Sequence, residues 1–192
     1  MKTVIVYFHL IATCIAVGSL LIKDLELLFL KGRPLFPREK TGLIHTAQVI
    51  FLSLCALWVS GLLLVVVGLL ENAQYLANEK LWAKVTVVCL LTLNGVLLHF
   101  YSFPRVVSHQ GLVGLSGSEQ TLVMFSGAVS TSSWLFACFL GIARPLNFTV
   151  PYEQVMLGYG AFVLFALIVS SHMLVLLRKS ATLVEIRTVP QV

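Results

Sequence analysis

Residues 43–70 read LIHTAQVIFLSLCALWVSGLLLVVVGLL and contain no Lys, Arg, Asp or Glu. A helix of about 20 apolar residues crosses the hydrocarbon core of a bilayer, and this stretch is longer than that. Four further apolar stretches predict membrane spans, so the expected fold is an all-α, polytopic membrane bundle with five transmembrane helices in a single domain, residues 1–192. The predicted spans are about 4–22, 43–70, 81–103, 122–142 and 155–177.

The composition supports a membrane protein and excludes other classes. Of the 192 residues, 58% are hydrophobic and 11% are charged, whereas about a quarter of a soluble domain is charged. The mean hydropathy is +0.96. Although the net charge is +5, we exclude nucleic acid as a partner, because basic residues in a membrane protein report its orientation. The expected partner is the lipid bilayer, and the expected location is the inner (cytoplasmic) membrane of a bacterium.

The Lys and Arg residues predict the orientation. We call the side of the N-terminus side A and the opposite side side B. Because cytoplasmic loops are enriched in Lys and Arg, the excess on side B predicts that the N-terminus is outside and the C-terminus is cytoplasmic. Side A has Lys2, Lys80, Lys84 and Arg144, and side B has Lys23, Lys31, Arg33, Arg38, Lys40, Arg105, Arg178, Lys179 and Arg187.

Four of the five histidines fall within the predicted spans. Ionisable side chains are costly in lipid, and they usually face the interior of a bundle and mark functional sites. His45, His99 and His172 lie toward side B, and His9 lies toward side A. Because consecutive elements are usually neighbours, we expect the second and third spans to pack together and to bring His45 and His99 to a similar height. His109 falls in a side-B loop, where a solvated role is expected.

Imidazoles at one level of a helical bundle suit the iron of a b-type haem, which takes axial His ligands. The anionic propionates of haem need basic partners, and Arg105 lies at about the right level. Gly95 lies one turn from His99, where a missing side chain lets a flat ring approach the helix. The sequence therefore predicts haem b, with His45, His99 and His172 as candidate axial ligands of the iron.

Other readings of these residues stay open. The same imidazoles could hold a bare Cu or Zn ion. Lys84, one turn inside the third span, either snorkels to the side-A surface or holds an anionic group such as a propionate or a quinone oxygen. Trp58 and Trp134 either pack in the bundle or line a haem. A stripe of small residues on the fourth span predicts close helix packing; its members are Ser126, Ser130, Ser133, Ala137 and Gly141.

Three short motifs resemble a known group of proteins. They are Phe8-His9-Leu10-Ile11 in the first span, Ser60-Gly61-Leu62 in the second and Leu81-Trp82-Ala83-Lys84 at the start of the third. They resemble small bacterial membrane proteins that include the copper-resistance D family and the J-type protoporphyrinogen oxidases, some of which bind haem b. The resemblance implies that His9 and Lys84 are cofactor-site residues near side A.

The sequence thus predicts a haem-binding protein that transfers electrons or performs redox chemistry at the membrane, with quinone or porphyrin as a candidate partner. His9 and Lys84 form a second, side-A pole, which would allow two haems across the bilayer. Two rival functions remain. One is a permease that handles copper or another metal. The other is a non-catalytic membrane subunit that docks a partner subunit or a second copy of the chain.

Overall fold

A computed structural model describes residues 1–29, 34–108, 112 and 114–188, with side chains as far as residue 179. His109 and the side chains of Lys31, Arg33 and Arg187 lie outside this description. Within it, five helical segments are long and apolar enough to span a membrane, which confirms the predicted bundle. The helices are α1 Lys2–Phe29, α2 Pro37–Glu71, α3 Glu79–Leu97, α4 Phe103–Ser108, α5 Gly117–Ile142 and α6 Tyr152–Thr188.

The third span consists of α3 and α4 joined by a π-helical turn, Leu98–Ser102. Pro104 has no N–H to donate to the carbonyl four residues earlier, and a proline inside a helix disturbs the regular pattern of bonds. Here the N–H of Phe103 bonds to the carbonyl of Leu98 instead. The widened turn keeps the span continuous, so that it crosses as one segment from Glu79 to Ser108.

The closest helix pairs are α1 with α2, α3 with α5, and α5 with α6. The expected close pairing of the second and third spans is therefore wrong, because α2 packs mainly on α1 and α3 mainly on α5. Small residues let helices approach closely in a membrane. Ser126, Ser130 and Ser133 of α5 are buried, as the stripe of small residues predicts, and they draw α3 and α6 onto α5 and away from α2.

The loop between α5 and α6 on side A is held by three consecutive residues at the start of α3, namely Asn78, Glu79 and Lys80. They supply two side-chain acceptors and one buried ammonium group to this loop. The link fixes the ends of three spans against one another. The bonds run from Phe148 N–H to Asn78 Oδ1 (3.3 Å), from Tyr152 N–H to Glu79 Oε2 (2.6 Å), and from Lys80 Nζ to Ala143 O (2.6 Å) and Asn147 Oδ1 (3.0 Å).

Candidate cofactor site

A cavity of about 660 Å³ lies in the side-A half of the bundle. We call it the side-A cavity. It opens between α2 and α3, since these two helices are not closely packed, and α1 and α5 close its other sides. Its volume is within the range of ligand sites, roughly 300–1,000 Å³. The lining residues that carry the chemistry are His9, Thr13, Trp58, Lys84, Trp134 and Cys138.

The ring of His9 is half-buried and its Nδ1 lies 2.8 Å from the Oγ of Ser60 on α2. Ser60 has a single hydroxyl proton, and its Oγ donates to the carbonyl of Ala56 at 2.7 Å. With that proton directed at Ala56, the Oγ accepts the bond from His9, and we assign the proton of the neutral ring to Nδ1. This tautomer leaves the lone pair of Nε2 available to a metal ion or a proton donor in the side-A cavity.

The backbone of α2 also contributes to the position of this ring. A Cβ atom added to Gly61 would lie 3.7 Å from His9 Cε1, which is ordinary van der Waals contact. On α1 itself, the hydroxyl of Thr13 donates to the carbonyl of His9 at 2.8 Å. The ring is thus held between the hydroxyl of Ser60 and the surface of α2, and it is not free to turn out toward lipid.

Lys84 enters the same cavity from α3. A Cβ atom added to Gly141 would lie 3.6 Å from its Nζ, so the ammonium group lies against the last turn of α5. The C-terminal end of a helix attracts a cation. Lys84 lines the cavity together with His9 and Cys138, and it makes no ion pair with any described residue. Its position fits a cation that faces the cavity better than one that snorkels to the surface.

Three more cations line the side-A end of the cavity, namely Lys2, Lys80 and Arg144, and no acidic residue is among the described residues that line it. Lys2 is exposed and forms an ion pair with Glu71, whereas the Lys80 ammonium is bonded to the α5–α6 loop. The potential at this end of the cavity is therefore positive, and it favours a ligand with negative groups directed toward side A.

An apolar cluster closes the end of the cavity that is directed toward side B. Trp134 is buried within this cluster, and Trp58 packs against it while its Nε1 donates to Thr92 Oγ1 at 3.0 Å. The two tryptophans therefore pack in the core and line the cavity at the same time. We call the cluster the apolar plug; its residues are Ala16, Leu20, Leu54, Leu91 and Trp134.

The three side-B histidines do not form a common ligand site. His45, His99 and His172 are all exposed on the outer surface of the described bundle, and none of them lines the side-A cavity. The ring of His99 stacks on Phe51 of α2, with ring centroids 6.0 Å apart. It also makes an edge contact with Phe100, at 5.1 Å.

The loose packing of α2 against α3 explains the exposure of His99. Lys84 and Val88 line the cavity, and Thr92 bonds to Trp58 of α2, so this face of α3 is directed toward α2. Toward side B this face of α3 is less closely packed, and His99 contacts α2 through the ring of Phe51. A Cβ atom added to Gly95 would have no neighbour within 4 Å, and His99 is exposed at the end of this groove.

Arg105 makes its contacts outside the side-A cavity. Its Nε lies 3.3 Å from Glu119 Oε1, and its guanidinium carbon lies 3.3 Å from the centroid of the Tyr101 ring. An arginine in this arrangement combines an ion pair with cation–π stacking. Arg105 therefore joins the π-helical turn to the start of α5 in the described chain.

Sequence reasoning missed two features of the interior. It gave Ser60 no part in orienting His9, although Ser60 lies in one of the three motifs. It also overlooked Asp24, whose carboxylate accepts a hydrogen bond from Thr131 Oγ1 at 2.5 Å. The signal that could have found Asp24 is its spacing, since Asp24 and His9 lie on one face of α1, about 60° apart.

Among the described residues, no three His, Cys, Asp or Glu side chains come together in a group that could hold a metal ion. Compared with models of protein families, with curated proteins and with solved structures, the chain matches none. The function is therefore argued from the site.

Proposed function

We propose that the protein binds haem b in the side-A cavity, with Nε2 of His9 as an axial ligand of the iron, and that it serves redox chemistry at the membrane. One observation carries the proposal: His9 lines the cavity and its Nδ1 lies 2.8 Å from the Ser60 Oγ, a contact that leaves Nε2 as the nitrogen available to a ligand. Histidines that bind metals almost always donate their other ring N–H to an oxygen acceptor, which fixes the ring and makes it a stronger ligand.

The rest of the cavity fits the proposed cofactor. Its walls are largely apolar, with Trp58 and Trp134 among them, and a macrocycle has an apolar surface. Lys84 and Arg144 are the cations that would pair with the propionates. When bound, the haem iron supplies one-electron chemistry, and the protein supplies the ligand, the charge compensation and the exclusion of water.

A haem fits these residues better than a bare metal ion. Zinc and copper sites are usually built from three or four side chains, and the described residues hold no such group. A porphyrin brings four nitrogen ligands of its own, so one imidazole is enough. His9 is the one histidine among the described lining residues of this cavity, and we therefore expect a five-coordinate iron with an open sixth position.

The resemblance to haem-binding bacterial membrane proteins adds support, because His9 and Lys84 are the residues that it implies and both line the cavity. The excess of Lys and Arg on side B supports an external N-terminus, in a bacterial cytoplasmic membrane. The side-A cavity then opens toward the outer half of the bilayer, where a quinone or a porphyrin could reach it. A reporter fused at Val192 should be active only in the cytoplasm.

The absorption spectrum of the purified protein tests the proposal. We expect a Soret band that shifts on reduction with dithionite, and a further shift with carbon monoxide, which binds at an open iron position. His9→Ala should lose the band, and added imidazole should restore part of it. The matched controls are His99→Ala and His172→Ala, each of which removes an exposed imidazole and should leave the spectrum unchanged.

Two results would contradict the proposal. Colourless protein from haem-replete cells, shown to be folded by its resistance to proteolysis, would show that the protein does not bind haem. Loss of the band in His99→Ala or His172→Ala, with the band retained in His9→Ala, would move the haem to the side-B surface of the bundle.

A further inference from the structure

Asp24, the one aspartate in the chain, places a half-buried carboxyl group between α1 and α5. It belongs to α1 within the first membrane span, and its Oδ2 accepts the bond from Thr131 Oγ1. At 1.5 Å per residue, Thr131 lies about 21 Å from the Gly117 end of α5 and about 17 Å from the Ile142 end. The carboxyl group therefore contacts α5 near the middle of that helix, while its neighbour Lys23 lies beside Gly42 near the side-B end of α2.

The hydroxyl of Thr131 is committed to this contact. Threonines in helices usually bond back to a carbonyl of their own helix, and Thr13, Thr46 and Thr92 donate to the carbonyl four residues earlier. Thr131 donates to Asp24 instead. A carboxyl group and a hydroxyl group from two helices thus form a specific polar site in an apolar region.

No described cation compensates the carboxyl group. Lys23, its neighbour in sequence, pairs with Glu26 at 2.5 Å, and its Nζ lies near Gly42 on α2. The helices packed against α1 are α2 and α5. Their titratable and charged residues, apart from the ends at Arg38 and Glu71, are Glu39, Lys40, His45 and Cys55 on α2, and Glu119 and Cys138 on α5.

An ionised carboxylate inside a membrane without a cation is costly, and carboxyl groups of this kind mark proton or ion pathways. A proton is the ligand that suits this site best. One carboxyl group with one hydroxyl group supplies few oxygens for a metal cation, which usually takes six or more, whereas a proton needs one carboxylate oxygen.

The residues next to Asp24 in sequence, although not Asp24 itself, line a space toward side B. This second cavity, of about 320 Å³, is lined by Lys23 and Glu26 together with Glu39. Toward side A, Leu20 and Ala16 follow on the same face of α1 and belong to the apolar plug. The plug therefore separates the carboxyl group from the side-A cavity and from His9, which lies about 22 Å further along the helix.

We propose that Asp24 is a proton-binding site in the membrane, held by Thr131, open to side B through the cavity at Lys23 and Glu26, and closed to side A by the apolar plug. In the binding step an O–H bond forms between a proton from side B and a carboxylate oxygen of Asp24, and no electron is transferred. The site does not depend on a bound haem.

Dicyclohexylcarbodiimide, an apolar reagent that modifies protonated carboxyl groups in membranes, tests the proposal on the full chain in lipid vesicles. Peptide mass spectrometry over an acid-to-alkaline series should find the label on Asp24, with a yield that falls as the pH rises. Asp24→Asn, which keeps the size and a hydrogen bond to Thr131, should lose the label. Because the reagent also modifies glutamates, fragment ions of the peptide must separate Asp24 from the nearby Glu26.

Two variants of Thr131 test whether its hydroxyl group influences the protonation of Asp24 or whether the carboxyl group is simply buried. Thr131→Val keeps the shape and removes the donor, and we expect it to shift the pH of half-labelling. Thr131→Ser keeps the donor and should follow the parent protein. In right-side-out and inverted membrane vesicles, the pH of the surrounding medium should change the labelling only where that medium faces side B.

Several outcomes would overturn the proposal. They are an unlabelled Asp24 at every pH, a labelling yield that does not depend on pH, and equal responses to the pH on the two sides. Protection by sodium chloride, but not by choline chloride, would make the site a cation site. A change in labelling by Thr131→Ser as large as that by Thr131→Val would show that the hydroxyl bond does not tune the carboxyl group.

Discussion

Replacing Ser60 with Ala tests the link between the fold and the proposed cofactor. The change removes one oxygen, which accepts the His9 Nδ1–H at 2.8 Å and donates to Ala56 O at 2.7 Å. The helix keeps its own backbone bonds, so the variant should fold. The ring of His9 loses the acceptor that fixes both its tautomer and its orientation.

The expected magnitude follows from the role of such partners. A neutral hydrogen bond contributes about 0.5–1.5 kcal/mol, and the bond strengthens when a metal ion on Nε2 makes the Nδ1 proton more acidic. Loss of a partner of this kind typically lowers metal affinity by about 10–100-fold, and outer-shell hydrogen bonds also tune redox potential. We therefore expect Ser60→Ala to bind haem about 10–100-fold more weakly. Its reduction potential should rise, because a less basic imidazole stabilises the oxidised iron less.

The assay is a titration of the haem-free protein with haem in lipid nanodiscs, followed at the Soret band and combined with a potentiometric titration. Ser171→Ala is the matched control, because Ser171 donates to Leu167 O at 2.8 Å within α6 and does not line the side-A cavity. Equal affinity and an equal potential in Ser60→Ala and the parent would refute the inferred tautomer. If Ser60→Thr, which keeps the hydroxyl group, behaved like Ser60→Ala, packing would be the cause.

Three further predictions concern stability, measured as the free energy of unfolding in mixed micelles. Lys80→Met removes a charged donor from two acceptors, each bond being worth about 1.5–3 kcal/mol, and should cost about 3–6 kcal/mol. Gly68→Ala would bring a Cβ atom within 2.7 Å of the Tyr75 ring and should cost about 1–3 kcal/mol, much of it recovered by adding Tyr75→Ser. Tyr159→Phe breaks a buried bond of 2.8 Å to Ser133 Oγ; in a double-mutant cycle with Ser133→Ala the coupling should be about 0.6 kcal/mol and not exceed about 1.7 kcal/mol.

Each of these predictions has an outcome that contradicts it. Lys2→Met removes an exposed ion pair with Glu71 and should cost less than about 1 kcal/mol, so an equal loss in Lys2→Met and Lys80→Met would deny that the buried bonds matter. A Gly68→Ala protein as stable as its parent would mean that the Tyr75 ring moves without cost. Zero coupling between Ser133 and Tyr159 would show that water or lipid replaces their bond.

The five spans were predictable from the sequence because the length of an apolar stretch is a local property. The first helix continues past the predicted span, since α1 ends at Phe29. The π-helical turn before Pro104 was not predicted, because it depends on which carbonyl the N–H of Phe103 reaches.

The candidate site was predicted only in part. The short motifs pointed to His9 and Lys84, and both line one cavity. The sequence ranked the side-B histidines above them, because depth along a helix can be counted from the chain. Whether a residue at a given depth faces a neighbour or lipid depends on the rotation of its helix, and His172 is exposed.

The sequence by itself determined that this chain has five segments long and apolar enough to span a membrane, since partition into lipid depends on the sum of side-chain hydropathies along each segment. Only the tertiary structure decided which faces meet. The small residues of α5 let it pack closely against α3, and α2 pairs with α1. The gap between α2 and α3 becomes the side-A cavity, and Asp24 meets Thr131 across the bundle.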